Sequence, residues 1–368
     1  MNDDLEISWF AGLCDDDYEY LGVPAPELLS SWEHCRDIVL RADANGYDNI
    51  LLPSGYELGI DAVSFASAIA PHTETINLLL AVRMGEVWLP QLARQLASID
   101  AMCGGRLTIN IISSDLPGAP LDSGPRYQRT LEYMHALRAL LNGQPVDVDG
   151  EFLQLSIEPP RITTASGTCP PLYFGGFSPA AKDTAAQAAD VFLTWPDTVA
   201  SVADTVADMA ARAASYGRAL RYGLRAHVIV RETEAEARAA AARLVSQLDD
   251  EVGDQIRTKS LDATSVGVSR QHELRAGAGS DGFVEPNLWT GVGRARSGAG
   301  AALVGDPDQV AAKIRAYQSV GISSFIFSGY TLMGECDQFA RHVLPQFDHS
   351  PLKPRAAAVA TPVGSAHG

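Results

Sequence analysis

Three times along this chain a helix-like stretch reaches a glycine and passes straight into an apolar strand: at RADANGYDNILLP, at ASYGRALRYGLRAHVIV and at AYQSVGISSFIFSG. A glycine just past the last helical turn supplies the left-handed residue that ends a helix, so each junction reads as helix then strand. Further strands are expected over residues 6–11, 76–84, 106–113, 170–176 and 190–195, each followed by a helix-like segment. That makes eight strands alternating with helices. Near-continuous apolar strands separated by helices specify a parallel sheet covered by helices, and eight repeats favour a closed (β/α)8 TIM barrel over an open doubly wound sheet.

The helix leading to Gly46 is expected over about 27–44, and later helix starts are marked by Thr233 with Glu236 and by Asp306 before Pro307. The cadence breaks between about Asp254 and Gly305, after strand seven and its helix, in a stretch rich in Gly, Ser and Arg. An insertion of that length in a barrel is expected to be a lid over the mouth. One domain over 1–350 follows, with the lid at about 254–305. The end, PLKPRAAAVATPVGSAHG, has the bias of a flexible tail at 351–368.

Strand seven, YGLRAHVIVRE, is not an ordinary buried strand. Residues two apart share a face, so Arg225, His227 and Ile229 lie opposite the apolar Ala226, Val228 and Val230. Such a strand packs one side on helices and shows the other to a pocket. The plainer alternative pairs Arg225 with a buried acid and leaves His227 as a core residue; both on one face favour the pocket.

Charge narrows the partners. A net charge of −17 argues against a nucleic-acid or anionic-membrane partner, so any anionic ligand must be held by a few local arginines. The five cysteines, Cys14, Cys35, Cys103, Cys169 and Cys336, show no zinc-like spacing; no metal site is expected, and their odd number suits reduced thiols in a cytoplasmic protein. No apolar run reaches membrane-spanning length, and the amino terminus MNDDLEISWF carries acids where a signal peptide would carry lysines.

In a barrel the active site lies at the carboxyl ends of the strands. There the sequence gathers Asn110 and Ser113-Ser114, Thr194-Trp195, Arg225 and His227, and Ser328-Gly329-Tyr330, with no paired carboxylates of the glycosidase kind. Strand five runs into YFGGFSPAA, where Gly175 and Gly176 admit a ligand close to the backbone, Ser178 is a candidate N-cap and Pro179 takes the first helical position. Such a turn is either a plain helix start or an anion site. At an aromatic, amide-lined mouth it favours a phosphate-bearing cofactor such as FMN.

The blocks PPLYFGG, LTW, RAHVIVRET, SQLDDE, PNLWTGVG, RSGAGAALVGD and SFIFSGY occur in this order, and on them the chain resembles the bacterial luciferase-like flavin monooxygenases, most closely the FMNH2-dependent alkanesulfonate monooxygenases. The similarity spans most of 6–348. It implies the same barrel, a homodimer or homotetramer, and FMNH2 delivered by a separate NAD(P)H-dependent flavin reductase to react with O2. It places Arg225, His227, Arg296 and Tyr330 around the flavin ring and the sulfonate as catalytic residues, with Arg296 coming from the lid. It gives the flavin contacts to Asn110, Ser113, Tyr127, Gly175, Gly176, Ser178 and Trp195.

The implied reaction oxidises a small anionic organosulfur compound, releasing sulfite and an aldehyde from an alkanesulfonate. Three departures qualify it. Gly59 stands about where those relatives carry a cysteine near the flavin, and Cys14 stands near the position of a histidine; the loop from Asp115 to Pro125 is also shorter. These leave a second reading open, an FMNH2-dependent monooxygenase acting on a different, biosynthetic metabolite. A third is a non-catalytic flavin-binding barrel, against which the retained arginines and histidine argue.

Overall fold

The computed structural model describes residues 5–57, 59–258 and 265–352. In chain order the strands are β1 (Glu6–Phe10), β2 (Asn49–Leu52), β3 (Asn77–Arg83), β4 (Leu107–Ile112), β5 (Val146–Asp149), β6 (Gln154–Ile157), β7 (Leu172–Gly175), β8 (Val191–Thr194), β9 (Arg221–Val230), β10 (Phe283–Glu285), β11 (Leu288–Trp289), β12 (Ala302–Gly305) and β13 (Ile322–Ser328). Eight of them pair in parallel in the order β13-β1-β2-β3-β4-β7-β8-β9, and β9 returns to β13 to close the barrel. The expected TIM barrel is the observed one.

The helices are α1 (Trp32–Ala44), α2 (Ala62–Ile69), α3 (Leu89–Met102), α4 (Ser123–Leu141), α5 (Pro179–Ala188), α6 (Val199–Ser215), α7 (Glu234–Leu244), α8 (Asp250–Thr258), α9 (Val266–Ala276), α10 (Pro307–Ser319) and α11 (Leu332–His342). Local chemistry sets their ends. The three junction glycines, Gly46, Gly217 and Gly321, all have positive φ, at 79°, 67° and 107°. Thr233 with Glu236 and Asp306 with Gln309 form reciprocal capping boxes at α7 and α10.

Three stretches differ from expectation. The helix expected from residue 27 begins only at Trp32, because Ser31 caps it by accepting from His34 N, and the Ser30 hydroxyl donates to Gly12 O at 2.7 Å to pin the chain ahead of it. A hairpin, β5 with β6, intervenes before β7, its turn held by Glu132, which accepts from the backbone N–H of Phe152 and Leu153. The stretch read as one insertion from Asp254 contains α8, already begun at Asp250, then α9 and the strands β10 to β12. Residues 259–264, and the expected tail from 353 onward, lie outside the described residues.

The ten-residue β9 changes neighbour halfway along one edge. Its first half pairs with β8 as far as Leu224 opposite Thr194, and its second half pairs with β12 from His227 opposite Ala302. Arg225 and Ala226 sit in the gap between the two partners. On the other edge β13 stays paired across this exchange, from Ser324 opposite Gly223 to Ser328 opposite His227.

Inside the barrel, near the N-terminal ends of the strands, Glu6 is fully buried and accepts from Tyr173 Oη and Ser324 Oγ at 2.8 Å each and from Asn49 Nδ2 at 3.3 Å. Burial raises its carboxyl pKa, with those hydrogen bonds opposing. A raised folded pKa means that stability is full below the unfolded value and is lost as pH rises through the folded one. Glu6→Gln removes that loss. Its melting temperature at pH 8 is expected at or above that of the wild type, whereas Glu6→Ala strands four buried donors, Leu352 N being the fourth, and costs roughly 2–3 kcal/mol; thermal melts from pH 4 to 9 check both.

Candidate active site

A cavity of about 330 Å³ opens at the carboxyl ends of β4, β7, β8 and β9. It is lined by Asn110, Ser113, Tyr127, Gly175, Gly176, Ser178 and Trp195, together with Arg225. At one end the β7–α5 turn presents bare backbone: a Cβ on Gly175 would stand 2.5 Å from Leu193 O, and one on Gly176 would stand 2.5 Å from Ala181 Cβ. Ser178 caps α5, its hydroxyl accepting from Ala181 N at 3.2 Å, with Pro179 in the first turn. The helix start turns its positive dipole end to the cavity.

Arg126 joins this end. Its Nη1 is paired with Asp115 at 2.9 Å, while its buried Nε has no partner. A guanidinium, hydroxyls and a helix N-terminus form a donor set for a phosphate. Toward the other end, Leu51, Leu193, Trp195 and Ile326 offer apolar walls to a flat ring. The residues present fit a flavin mononucleotide.

Beside the cavity lies a narrow cleft bordered by Phe10, Asp15, His227, Arg296, Ser328 and Tyr330. The two arginines approach the same Phe10 ring, Arg225 at 4.5 Å and Arg296 at 5.3 Å from its centroid. Their surroundings differ. Arg296 pairs with Asp15 and donates to Tyr330 Oη at 3.1 Å. Burial works against its charge, but Tyr330 and Asp15 outweigh it and hold the guanidinium above its ordinary value. Arg225 has no carboxylate partner among the described residues; burial first, and the Arg296 charge second, pull it down to about 9.

The protons of this cluster can be placed. Arg225 Nη2 donates to Ser328 Oγ at 2.7 Å, and Ser328 Oγ lies 2.9 Å from His227 Nδ1. Since a guanidinium can only donate, the serine accepts from it and gives its own hydrogen to Nδ1. Burial, then the charges of Arg225 and Arg296, keep the imidazole pKa well below its usual value, so His227 is neutral. Its proton is therefore on Nε2, which faces the Ala299 backbone without a well-formed hydrogen bond and is the donor left for a ligand. Tyr330 stacks on His227 at 5.4 Å, and burial raises its phenol, which stays protonated.

The four residues expected around the reacting centre are thus contiguous but divided: Arg225 belongs to the larger cavity, and His227, Arg296 and Tyr330 to the cleft. Sequence reasoning missed Asp15, and also Arg126, whose sole signal was its place beside Tyr127. It also missed Asp17, which accepts from Leu332 N at 2.9 Å and so seats the start of α11 next to Tyr330. Gly59 has φ 82°, and a Cβ there would stand 1.5 Å from Leu13 O, so no side chain fits at that position. Cys14 is half-buried, and desolvation pushes its thiol up to about 11 and keeps it protonated.

The model of the luciferase-like monooxygenase family matches residues 8–324. The chain is 61% identical to a sulfoquinovose monooxygenase of Novosphingobium aromaticivorans, covering 94% of this chain and 98% of that one. It is 48% identical to a sulfoquinovose monooxygenase of Agrobacterium fabrum, covering 99% and 96%. Among solved structures, an EDTA monooxygenase from Chelativorans superposes with a TM-score of 0.74 at 17% identity, covering 93% of each chain, a likeness of fold. With its barrel, its cavity at the strand ends and the match over most of its length, the chain belongs to the luciferase-like monooxygenase family.

Proposed function

We propose that this chain is a two-component flavin-dependent monooxygenase that uses FMNH2, delivered by a separate NAD(P)H-dependent reductase, and O2 to desulfonate a small sulfonate. The single observation that carries the reading is Arg225: a buried guanidinium with no carboxylate partner among the described residues, at the edge of a cavity that fits FMN. Such a charge is costly to keep unless an anion meets it. The names of the two sulfonate-acting relatives favour a sulfosugar over a plain alkanesulfonate as that anion.

Bound reduced flavin supplies the two electrons that activate O2. Per turnover a sulfonate R–CH2–SO3⁻, O2 and FMNH2 give R–CHO, sulfite, FMN, water and a proton, so the C–S bond breaks and one oxygen atom enters the aldehyde. The protein's part is positional and electrostatic. Arg225 and Arg296 hold sulfonate oxygens by paired hydrogen bonds, His227 Nε2–H offers a proton toward developing negative charge, and the Phe10 and Tyr330 rings keep water out.

The test is sulfite release in air from the purified chain with chemically reduced FMN, comparing sulfoquinovose, an alkanesulfonate and the carboxylate analogue of sulfoquinovose. Sulfite from sulfoquinovose and no oxygenated carboxylate is expected. No sulfite from either sulfonate overturns the reading and promotes oxygenation of another metabolite.

A further inference from the structure

Sharing Asp15, Asp16 and Arg296 with the cleft is a second, larger chamber of about 540 Å³, walled by the loop after β1, the loop after β2 and one side of α8. Nothing in the sulfonate chemistry requires it. An anion between Arg225 and Arg296 sits where the cavity and the cleft adjoin, and a short alkyl tail would leave most of this volume filled with water. The chamber is within the size range of sites for whole small molecules. Arg296 borders both spaces, so a ligand anchored there by its anionic end extends into the chamber with the rest of its body.

The chamber's chemistry is that of a receptor for hydroxyl groups. Asp16, which also borders the cleft, and Glu57 face it, and neither has a cationic partner among the described residues; the Arg83 guanidinium on the same wall is engaged by Ser114 and Glu86. Among the described residues Asp16 accepts only from Ser30 N, at 2.8 Å, which leaves its second oxygen uncommitted there. Ser54 and Gln255 add groups that both donate and accept, and Ser297, next to Arg296, has a buried Oγ without a partner. Free carboxylates repel a second anionic group and gain nothing from an alkyl chain, but each accepts strongly from neutral O–H donors. Tyr18, Tyr56 and Ile256 supply apolar faces for the C–H side of a ring.

We propose that this chamber is the subsite for a polyhydroxylated substrate body, with the Asp16 and Glu57 carboxylates accepting from its hydroxyls, so that the chain selects a sulfonate on a sugar-sized polyol. This rests on the sulfonate reading and adds to it the residues that set selectivity. Asp16 and Glu57 are specificity-determining here, while the anion stays with Arg225 and Arg296.

The experiment compares sulfoquinovose with cyclohexylmethanesulfonate, which has a similar ring and no hydroxyls, under reduced FMN in air. Each is scored as kcat/KM for sulfite release, and calorimetry measures sulfoquinovose binding to the chain without flavin. Wild type is expected to prefer sulfoquinovose by at least about 100-fold, and Glu57→Gln or Asp16→Asn to lower that ratio by roughly 10-fold each, mainly through KM, as expected for a hydrogen bond to a charged group. Equal kcat/KM for the two substrates in wild type, or a ratio unmoved by both substitutions, overturns the chamber assignment while leaving desulfonation intact. If neither compound yields sulfite, the sulfonate reading fails separately. The chamber then stands or falls on whether sulfoquinovose binds and whether Glu57→Gln weakens that binding.

Discussion

Arg225→Lys is expected to lower kcat/KM for sulfite release by at least about 10²-fold, with the fold retained. Lysine keeps a positive charge at this place but loses the fork that reaches Ala226 O at 2.6 Å and Ser328 Oγ at 2.7 Å together. Without the donation into Ser328 the serine hydroxyl can turn, and the tautomer of His227 is no longer dictated. Two functions thus fail through one side chain. The wild-type pH profile carries a matching signature. Burial and the Arg296 charge hold Arg225 at about 9, and only the protonated form attracts an anion, so kcat/KM is expected to fall as pH rises through about 9. In Arg296→Ala the like charge is gone, and that limb is expected to move to higher pH. A profile flat to pH 10, or full turnover by the lysine variant, would sink the anion-clamp account.

The barrel was legible because its punctuation is local. A glycine after a helical turn and a run of β-branched residues after it need no knowledge of distant partners, and Gly46, Gly217 and Gly321 all adopt the backbone expected of them. The pairing of Arg225 with His227 on one strand face was equally local, as period-two geometry dictates. What stayed hidden depended on register between distant strands. Alternation alone does not say that β9 exchanges β8 for β12 at Arg225, which puts the two arginines against one phenylalanine but in different spaces. Nor does it say that Asp15, roughly 280 positions from Arg296 along the chain, is the carboxylate that neutralises it. The hairpin β5–β6 escaped for another reason: VDVD and QLSI are short, mostly polar-alternating runs outside the barrel, carrying none of the apolar signal by which the other strands were found.

Gly176→Val should abolish flavin binding in practice, with reduced FMN bound at least about 100-fold more weakly than by wild type. The position needs glycine for space rather than for conformation, since its φ is not in the left-handed region while a Cβ would stand 2.5 Å from Ala181 Cβ and 3.4 Å from Tyr127 Oη. A side chain there is therefore not opposed by a left-handed backbone, and the clash falls on the first turn of α5. To relieve it the turn must swing away, carrying with it the N–H groups that the cap at Ser178 holds in place. Ser178→Ala is the graded companion: it removes one capping oxygen, worth about 1 kcal/mol, and leaves the turn's path unchanged, so a loss of roughly 5-fold is expected. Anaerobic fluorescence titration with reduced FMN, alongside circular dichroism to show that both variants fold, separates the cases. Because the two expected losses differ by more than tenfold, flavin affinity in Gly176→Val no weaker than in Ser178→Ala would mean that the phosphate is held elsewhere, with Arg126 the next residue to replace.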